Sequence, residues 1–346
     1  MILRQFSVHQ LDRENNNVRD IAISAELKDL ASYVDRLVTQ VVDSSKRRVY
    51  TFANPASEVP LTLASAYTES AWSSSASKLA IRLLNVESRV AEVIRGIAEI
   101  PKGSLIQGAM EVDGEELYLI AKVEHDEFLD QNDLIRRLGL PYARQALKTC
   151  LVRVDEGPRF ETAWVSDSST RFAEYWWKNF LELSERRSDT ENTRAAFKQI
   201  DRLLRRKLKS DHPSDYTFLR NAVGQYFLTQ AEFNMDELVN NAIGRYRPSS
   251  EEVGIDDLAA ELKQMEASDL FDARFTIDEE AVRRPIARTI ELTAEIDLRL
   301  KAPLEDLQNV VKAKRYPDGR KYLEIETNSG WEAFYRTSGD STGHLR

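Results

Sequence analysis

The stretch GSLIQGAMEVDGEELYLIAKVEH, residues 103–125, commits this chain to antiparallel sheet more firmly than any other segment. Two strand-like runs flank Asp113-Gly114, a dipeptide that accepts the positive φ angles of tight hairpin turns. Similar signals stand on either side of it. The opening ILRQFSVHQL alternates apolar and polar residues, breaks at the turn-rich DRENNN and resumes as VRDIAISAEL, which predicts a second hairpin. CLVRVDEGPRFETAWVSD reads as another pair of strands around Glu156-Gly157-Pro158.

Between these strands the spacing changes to that of amphipathic helices. Leu30, Val34, Leu37, Val38 and Val41 share one helical face. Leu79, Ile81, Leu83, Leu84, Val90 and Val93 mark a second, longer helical segment, with the serine run before it as a loop or helix start. From Thr170 to about Lys263 the pattern is helical in successive runs, and FDARFTI, ARTIELTAEIDLRL and VVKAKRYPDGRKYLEIET then return to strand, the last bent at Tyr316-Pro317-Asp318-Gly319. Strands, then helices, then strands predict an α+β fold rather than alternating βαβ units. The expected division is an α+β domain over 1–166, a helical region over 167–268, a strand-rich region over 269–330 that packs on the rest, and a polar tail over 331–346.

Composition matters most where it is locally contradicted. The chain has a formal net charge of -9, yet RAAFKQIDRLLRRKLK, residues 194–209, holds seven Arg or Lys and one Asp. Wound at about 100° per residue, Arg194, Lys198, Arg202, Arg205 and Lys209 fall within roughly 80° of one another, while Ala196, Phe197, Ile200, Leu203, Leu204 and Leu208 occupy the opposite arc. Arg206 flanks the basic side. Lys207 lands among the apolar positions and must either snorkel outward or mark a fraying end. Like charges three or four residues apart cost a few tenths of a kcal/mol each in an isolated helix. A polyanion offsets that cost by releasing condensed counterions, and pairing with acidic protein surface or plain solvation offsets it otherwise. The last hairpin repeats the theme: Lys312 and Lys314 share one face, with Arg315, Arg320 and Lys321 near the turn. Such a ribbon suits a phosphate backbone, and equally guards an edge strand against aggregation.

Motifs of catalysis do not emerge. Asp126, Asp130 and Asp133 share a helical face in VEHDEFLDQND, but the run has no EF-hand loop glycine and reads as acidic residues at a helix N-terminus. Asp113, Glu116 and Lys122 resemble a metal-nuclease strand, except that Ile120 stands where a carboxylate is wanted. His9, His125, His212 and His344 are dispersed, and no GxGxxG or GxxxxGK[ST] occurs. Neither a cofactor nor a metal is therefore expected, and the reading is of a protein that is not an enzyme. Cys150 reads as a buried structural thiol. Phe172, Trp176, Phe180 and Leu183 form a core stripe at helical spacing, with Trp177 off it. One cysteine, no apolar signal core and no window of about 18 uncharged apolar residues predict a cytoplasmic location away from the membrane.

Several strings together resemble the bacterial 37-kDa nucleoid-associated protein family, whose members are of similar length and also acidic. These are FSVHQLDREN with His9-Gln10-Leu11 at the end of the first strand, IAISAELKDLASYVDRLV, GSLIQGAMEVDGEELYLIAKV, TRFAEYWWKNFLEL and EIDLRLKAPLEDLQNVVKAKRYPDGRKYLEIET. The resemblance implies an α+β fold, association with bacterial DNA in the nucleoid and no enzymatic site. It supplies no site residues, because the charge-rich middle departs from the family pattern. The expected function is DNA binding through the phosphate backbone with little sequence preference, by Arg194, Lys198, Arg202, Arg205, Lys209, Lys312 and Lys314. A homodimer is expected to multiply the contact. The alternatives are a non-enzymatic subunit of a bacterial phage-defence complex, docking an acidic partner protein through the same cations, and a divergent nuclease built on the 111–133 carboxylates.

Overall fold

The computed structural model describes residues 1–23, 27–42, 47–67, 69–95, 100–140, 148–155, 159–168, 173–265 and 268–335. Along the first half run β1 (Ile2–Asp12), β2 (Asn17–Asp20), α1 (Leu27–Val42), β3 (Arg47–Phe52), α2 (Glu58–Ala66), α3 (Trp72–Val93), β4 (Gly103–Val112), β5 (Glu115–Glu124), β6 (Asp126–Leu129), β7 (Arg136–Gly139), β8 (Lys148–Val154) and β9 (Ala163–Asp167). A π-helical turn at Tyr175–Phe180 leads to β10 (Leu183–Glu185), α4 (Asp189–Leu208), α5 (Pro213–Thr229), β11 (Glu232–Asn234), α6 (Met235–Leu238), α7 (Ile255–Gln264), β12 (Arg274–Thr276) and α8 (Glu279–Ile286). The chain closes with β13 (Arg288–Thr293), β14 (Ile296–Leu300), α9 (Leu307–Val310), β15 (Val311–Arg315) and β16 (Lys321–Ile325). The fold is α+β.

An eight-stranded antiparallel sheet, ordered β10-β3-β9-β8-β5-β4-β1-β2, dominates the first half. Its central ribbon turns at Asp113 and Gly114, whose φ angles of 51° and 85° give the twist that two-residue hairpins need. β5 is buried on both faces, so its period-2 alternation feeds two different cores. Leu117, Leu119, Ala121 and Val123 meet Val34, Leu37, Val38 and Val41 of α1, while Tyr118 and Ile120 meet α2, α3 and the π-helical turn. The sheet is the middle of three layers. Trp176, Phe180 and Leu183 lie in the α3-side core as the sequence predicts, although Leu183 enters it from a strand; Phe172 lies outside the described residues, as does the turn at 156–158.

Two sequence expectations need correction here. Asp126, Asp130 and Asp133 do not lie on a helix: β6 and β7 pair as a small hairpin, in which Asp130 accepts from Asn132 N at 3.0 Å and Asp133 from Ile135 N at 2.9 Å. These side-chain bonds to nearby backbone stabilise a turn in competition with a helix. Within α3, Ile81 and Val93 are exposed although they fit the apolar spacing. Ile81 follows Leu79 by two residues, about 200° around the axis, which places it on the face away from the sheet.

A second assembly gathers α4, α5, α6, α7, α8 and the β11–β12 pair around Phe197, Phe227, Phe233 and Phe275. Phe233 and Phe275 stack with centroids 4.8 Å apart. It meets the sheet through Arg48 of β3, only 5% exposed, whose guanidinium reaches Asp189 at 3.0 Å, Glu185 at 3.2 Å and Asp272 at 3.5 Å. The β13–β14 and β15–β16 hairpins are separate two-stranded sheets, and β16 is exposed along its whole length.

Candidate nucleic-acid interface

α4 is specified at both ends. Ser188 and Glu191 form a reciprocal capping box, in which Glu191 N donates to Ser188 Oγ at 3.2 Å and Ser188 N to Glu191 Oε2 at 2.8 Å. Asp189 and Glu191 in the first turn, and Arg205, Arg206 and Lys207 in the last, complement the helix dipole. Asn192 then ties the first turn to Asp272, donating from Nδ2 to Oδ2 at 2.8 Å while its Oδ1 accepts from Asp272 N at 2.9 Å. The helix is therefore held in a fixed rotation.

That rotation buries Ala196, Phe197, Ile200, Leu203, Leu204 and Leu208 and exposes Arg194, Lys198, Arg202, Arg205 and Lys209. The two arcs expected from the sequence are the two faces found. Lys207 does swing outward, and it and Arg206, at 2.9 Å, both pair with Glu261 of α7. Arg205 lies 3.4 Å from Asp201 in the same helix, and Arg202 donates to Gln199 at 3.3 Å. Among the described residues no carboxylate comes within 4 Å of Arg194, Lys198, Arg202 or Lys209. Salt bridges among the described residues thus leave most of this row without a direct carboxylate partner.

The ribbon differs. Lys312 and Lys314 do share a face, opposite Glu324 and Tyr322, but Lys314 Nζ lies 2.7 Å from Glu324, which raises the ammonium's pKa. The other face carries Ala313, Leu323 and Ile325, the last two exposed. α4 packs on α5, α8 and β12, whereas β15 is reached through α9, which packs on α5. The two basic sets therefore sit on different elements.

Two arginines that no local pattern marks lie near the C-terminal half of α4. Arg220 of α5 donates from Nε to Asp201 Oδ1 at 2.8 Å and from Nη1 to the Ile286 carbonyl at 2.9 Å. Arg288 of β13 lies over the Tyr216 ring, Cζ to centroid 4.7 Å, and donates to Thr217 Oγ1 at 2.9 Å. Arg220 is an isolated basic residue in sequence and Arg288 closely follows Arg283 and Arg284, and only the packing of α4, α5 and β13 brings the two together.

The nuclease-like strand is closed. Lys122 is fully buried against Glu87 of α3, and burial lowers its pKa while Glu87 opposes that shift. Glu116 pairs with Arg4 at 2.7 Å, and Arg136 and Arg137 face Glu127, Asp130 and Asp133. Among the described residues no three His, Cys, Asp or Glu side chains are grouped to hold a metal ion, and no helix is long and apolar enough to cross a membrane. Cys150 is fully buried, and burial raises its thiol pKa. Trp177 lies 5.1 Å from the Tyr50 ring, half-buried rather than presented as a platform. No protein-family model matches the chain, and no curated protein matches its sequence.

Proposed function

We propose that this protein is a DNA-binding, nucleoid-associated protein that contacts the phosphate backbone through α4 with little sequence preference. The observation that supports the reading is the row Arg194, Lys198, Arg202, Arg205 and Lys209, exposed on a capped helix, with four of its five cations lacking a carboxylate within 4 Å among the described residues. Cations spaced along one face suit a backbone of evenly spaced phosphates, which carries no sequence information. Two copies paired as a homodimer would multiply a contact that is weak in one copy. Lys312 extends the surface less than the sequence suggests, because its neighbour Lys314 is already engaged by Glu324.

Five phosphate contacts imply a log–log salt slope of about -4.5, or about a 500-fold loss of affinity between 50 and 200 mM salt. Duplex-DNA binding across that range tests this, alongside a variant carrying Arg194→Glu, Lys198→Glu, Arg202→Glu and Arg205→Glu. A steep slope in the wild type and no binding by the folded variant support the reading. Equal binding by both refutes α4 as the interface. The exposed Leu323, Ile325, Trp331 and Phe334 favour a second reading, docking of a partner protein as in a phage-defence complex, which takes precedence if neither form binds DNA.

A further inference from the structure

Around Asp201 three guanidinium groups face one carboxylate. Arg220 is mostly buried, and its guanidinium is committed to Asp201 and to the Ile286 and Pro285 carbonyls. Asp201 also accepts from the Tyr216 hydroxyl at 3.0 Å, which sets Tyr216 and Arg205 at the same carboxylate. Arg205 is left with a weak 3.4 Å contact to Asp201, and Arg288 has no carboxylate within 4 Å among the described residues. Three guanidinium charges therefore share one carboxylate, and Arg288 is the one of the three that makes no direct ion pair among the described residues.

Arg288 is also pre-oriented. The Tyr216 ring supports the flat of its guanidinium and Thr217 holds one N–H, which leaves most of a planar fork of five donors open. Burial lowers its pKa; Tyr216 and Asp201 oppose that shift, and the nearby Arg220 and Arg205 charges add to it. A guanidinium remains charged under these conditions, so an anion placed beside it relieves the unfavourable charge. The cavity beside it, bounded by Thr217, Arg220, Ile286, Leu300 and Pro303, measures about 10 Å³ and admits no small molecule. An anion must therefore bind outside that cavity, and the exposed Arg205 is linked to Arg288 through Asp201 and Tyr216.

We propose that Arg205 and Arg288 together seat one phosphate of a DNA backbone, with Tyr216 and Thr217 as positioning residues for Arg288. This site rests on the DNA reading above and extends it onto β13, a strand outside the α4 row. Seating one phosphate fixes the register of the duplex against α4, which diffuse contacts along a helix do not do.

The test is duplex-DNA binding across a salt series by full-length wild type, Arg288→Gln, Arg288→Lys and Arg205→Gln, each checked for an unchanged urea midpoint. Loss of one phosphate contact lowers the magnitude of the slope by about 0.9 in each Gln variant, and Arg288→Lys retains the wild-type slope. A wild type that binds steeply while both Gln variants keep its slope overturns this site and leaves the α4 reading standing. A wild type that binds no duplex overturns both. Titration of inorganic phosphate, followed through the arginine side-chain NMR signals, separates the sources: phosphate binding lost in Arg288→Gln without any duplex binding assigns the site to a free oxyanion and overturns the backbone assignment.

Discussion

Arg48→Met removes a guanidinium that joins β3 to the start of α4, and its cost can be worked from the contacts. Arg48 lies between Glu185, Asp189 and Asp272, and also donates to the Arg187 carbonyl at 3.1 Å. The first two carboxylates are about one-third exposed and regain water, whereas Asp272 is buried and cannot. Breaking a buried pair from one side costs about 3–5 kcal/mol. Asp272 keeps Asn192 at 2.8 Å and Arg187 at 3.6 Å, which places the variant near the lower end, about 3 kcal/mol or some 4 °C in Tm. The pH dependence has a definite sign. Burial raises the pKa of both Asp272 and Glu185, and Arg48 opposes the rise in each. A carboxyl whose folded pKa is raised binds more protons folded than unfolded, so its penalty is full at neutral pH and declines as pH falls through the folded value. Without Arg48 both values rise further, and the gap between variant and wild type is larger at pH 7 than at pH 5. Urea denaturation of both proteins at the two pH values measures this. A gap below about 1 kcal/mol at pH 7, the worth of a surface pair, or one that widens on acidification, refutes the reasoning.

Two further perturbations probe the sheet. Lys122→Met leaves Glu87 buried and unpaired, at a cost of about 3–5 kcal/mol, whereas Lys122→Met with Glu87→Leu recovers most of the loss; urea midpoints of the single and double variants give the comparison, and a double variant no more stable than the single counts against a sealed ion pair. Gly114→Ala puts a Cβ on a residue with φ of 85° in open space, so the penalty is backbone strain of about 1–2 kcal/mol rather than a clash; a thermal midpoint unchanged within error would contradict that turn geometry.

The sequence was most informative where short-range chemistry decides the structure. Asp113-Gly114 set a turn, β1 and β2 appeared where alternation broke at a polar run, and the 194–209 heptad-like spacing sorted a helix into one apolar and one basic arc that the structure keeps residue for residue. It was misleading where turn-forming side chains outbid an apparent helical face, as at Asp130 and Asp133, and where a helical run contained a strand as short as β10. Three residues carry too little periodicity to announce themselves, and what makes Leu183–Glu185 a strand is the free edge of β3 beside it.

Charge placement divides along the same line. Which cations share a face of α4 follows from 3.6 residues per turn and was readable from the chain alone. Which of them lack a partner was not, because Glu261, Asp201 and Glu324 reach their cations across the fold or the hairpin, or compete for several at once. The same holds for Arg288, separated in sequence from both Tyr216 and Arg205 yet set on the ring of one and beside the charge of the other. A single sequence records the local periods that form helices and hairpins; neutralisation of charge depends on distances of a few ångströms between distant segments, and only the packing of α4, α5, α7 and β13 decides those.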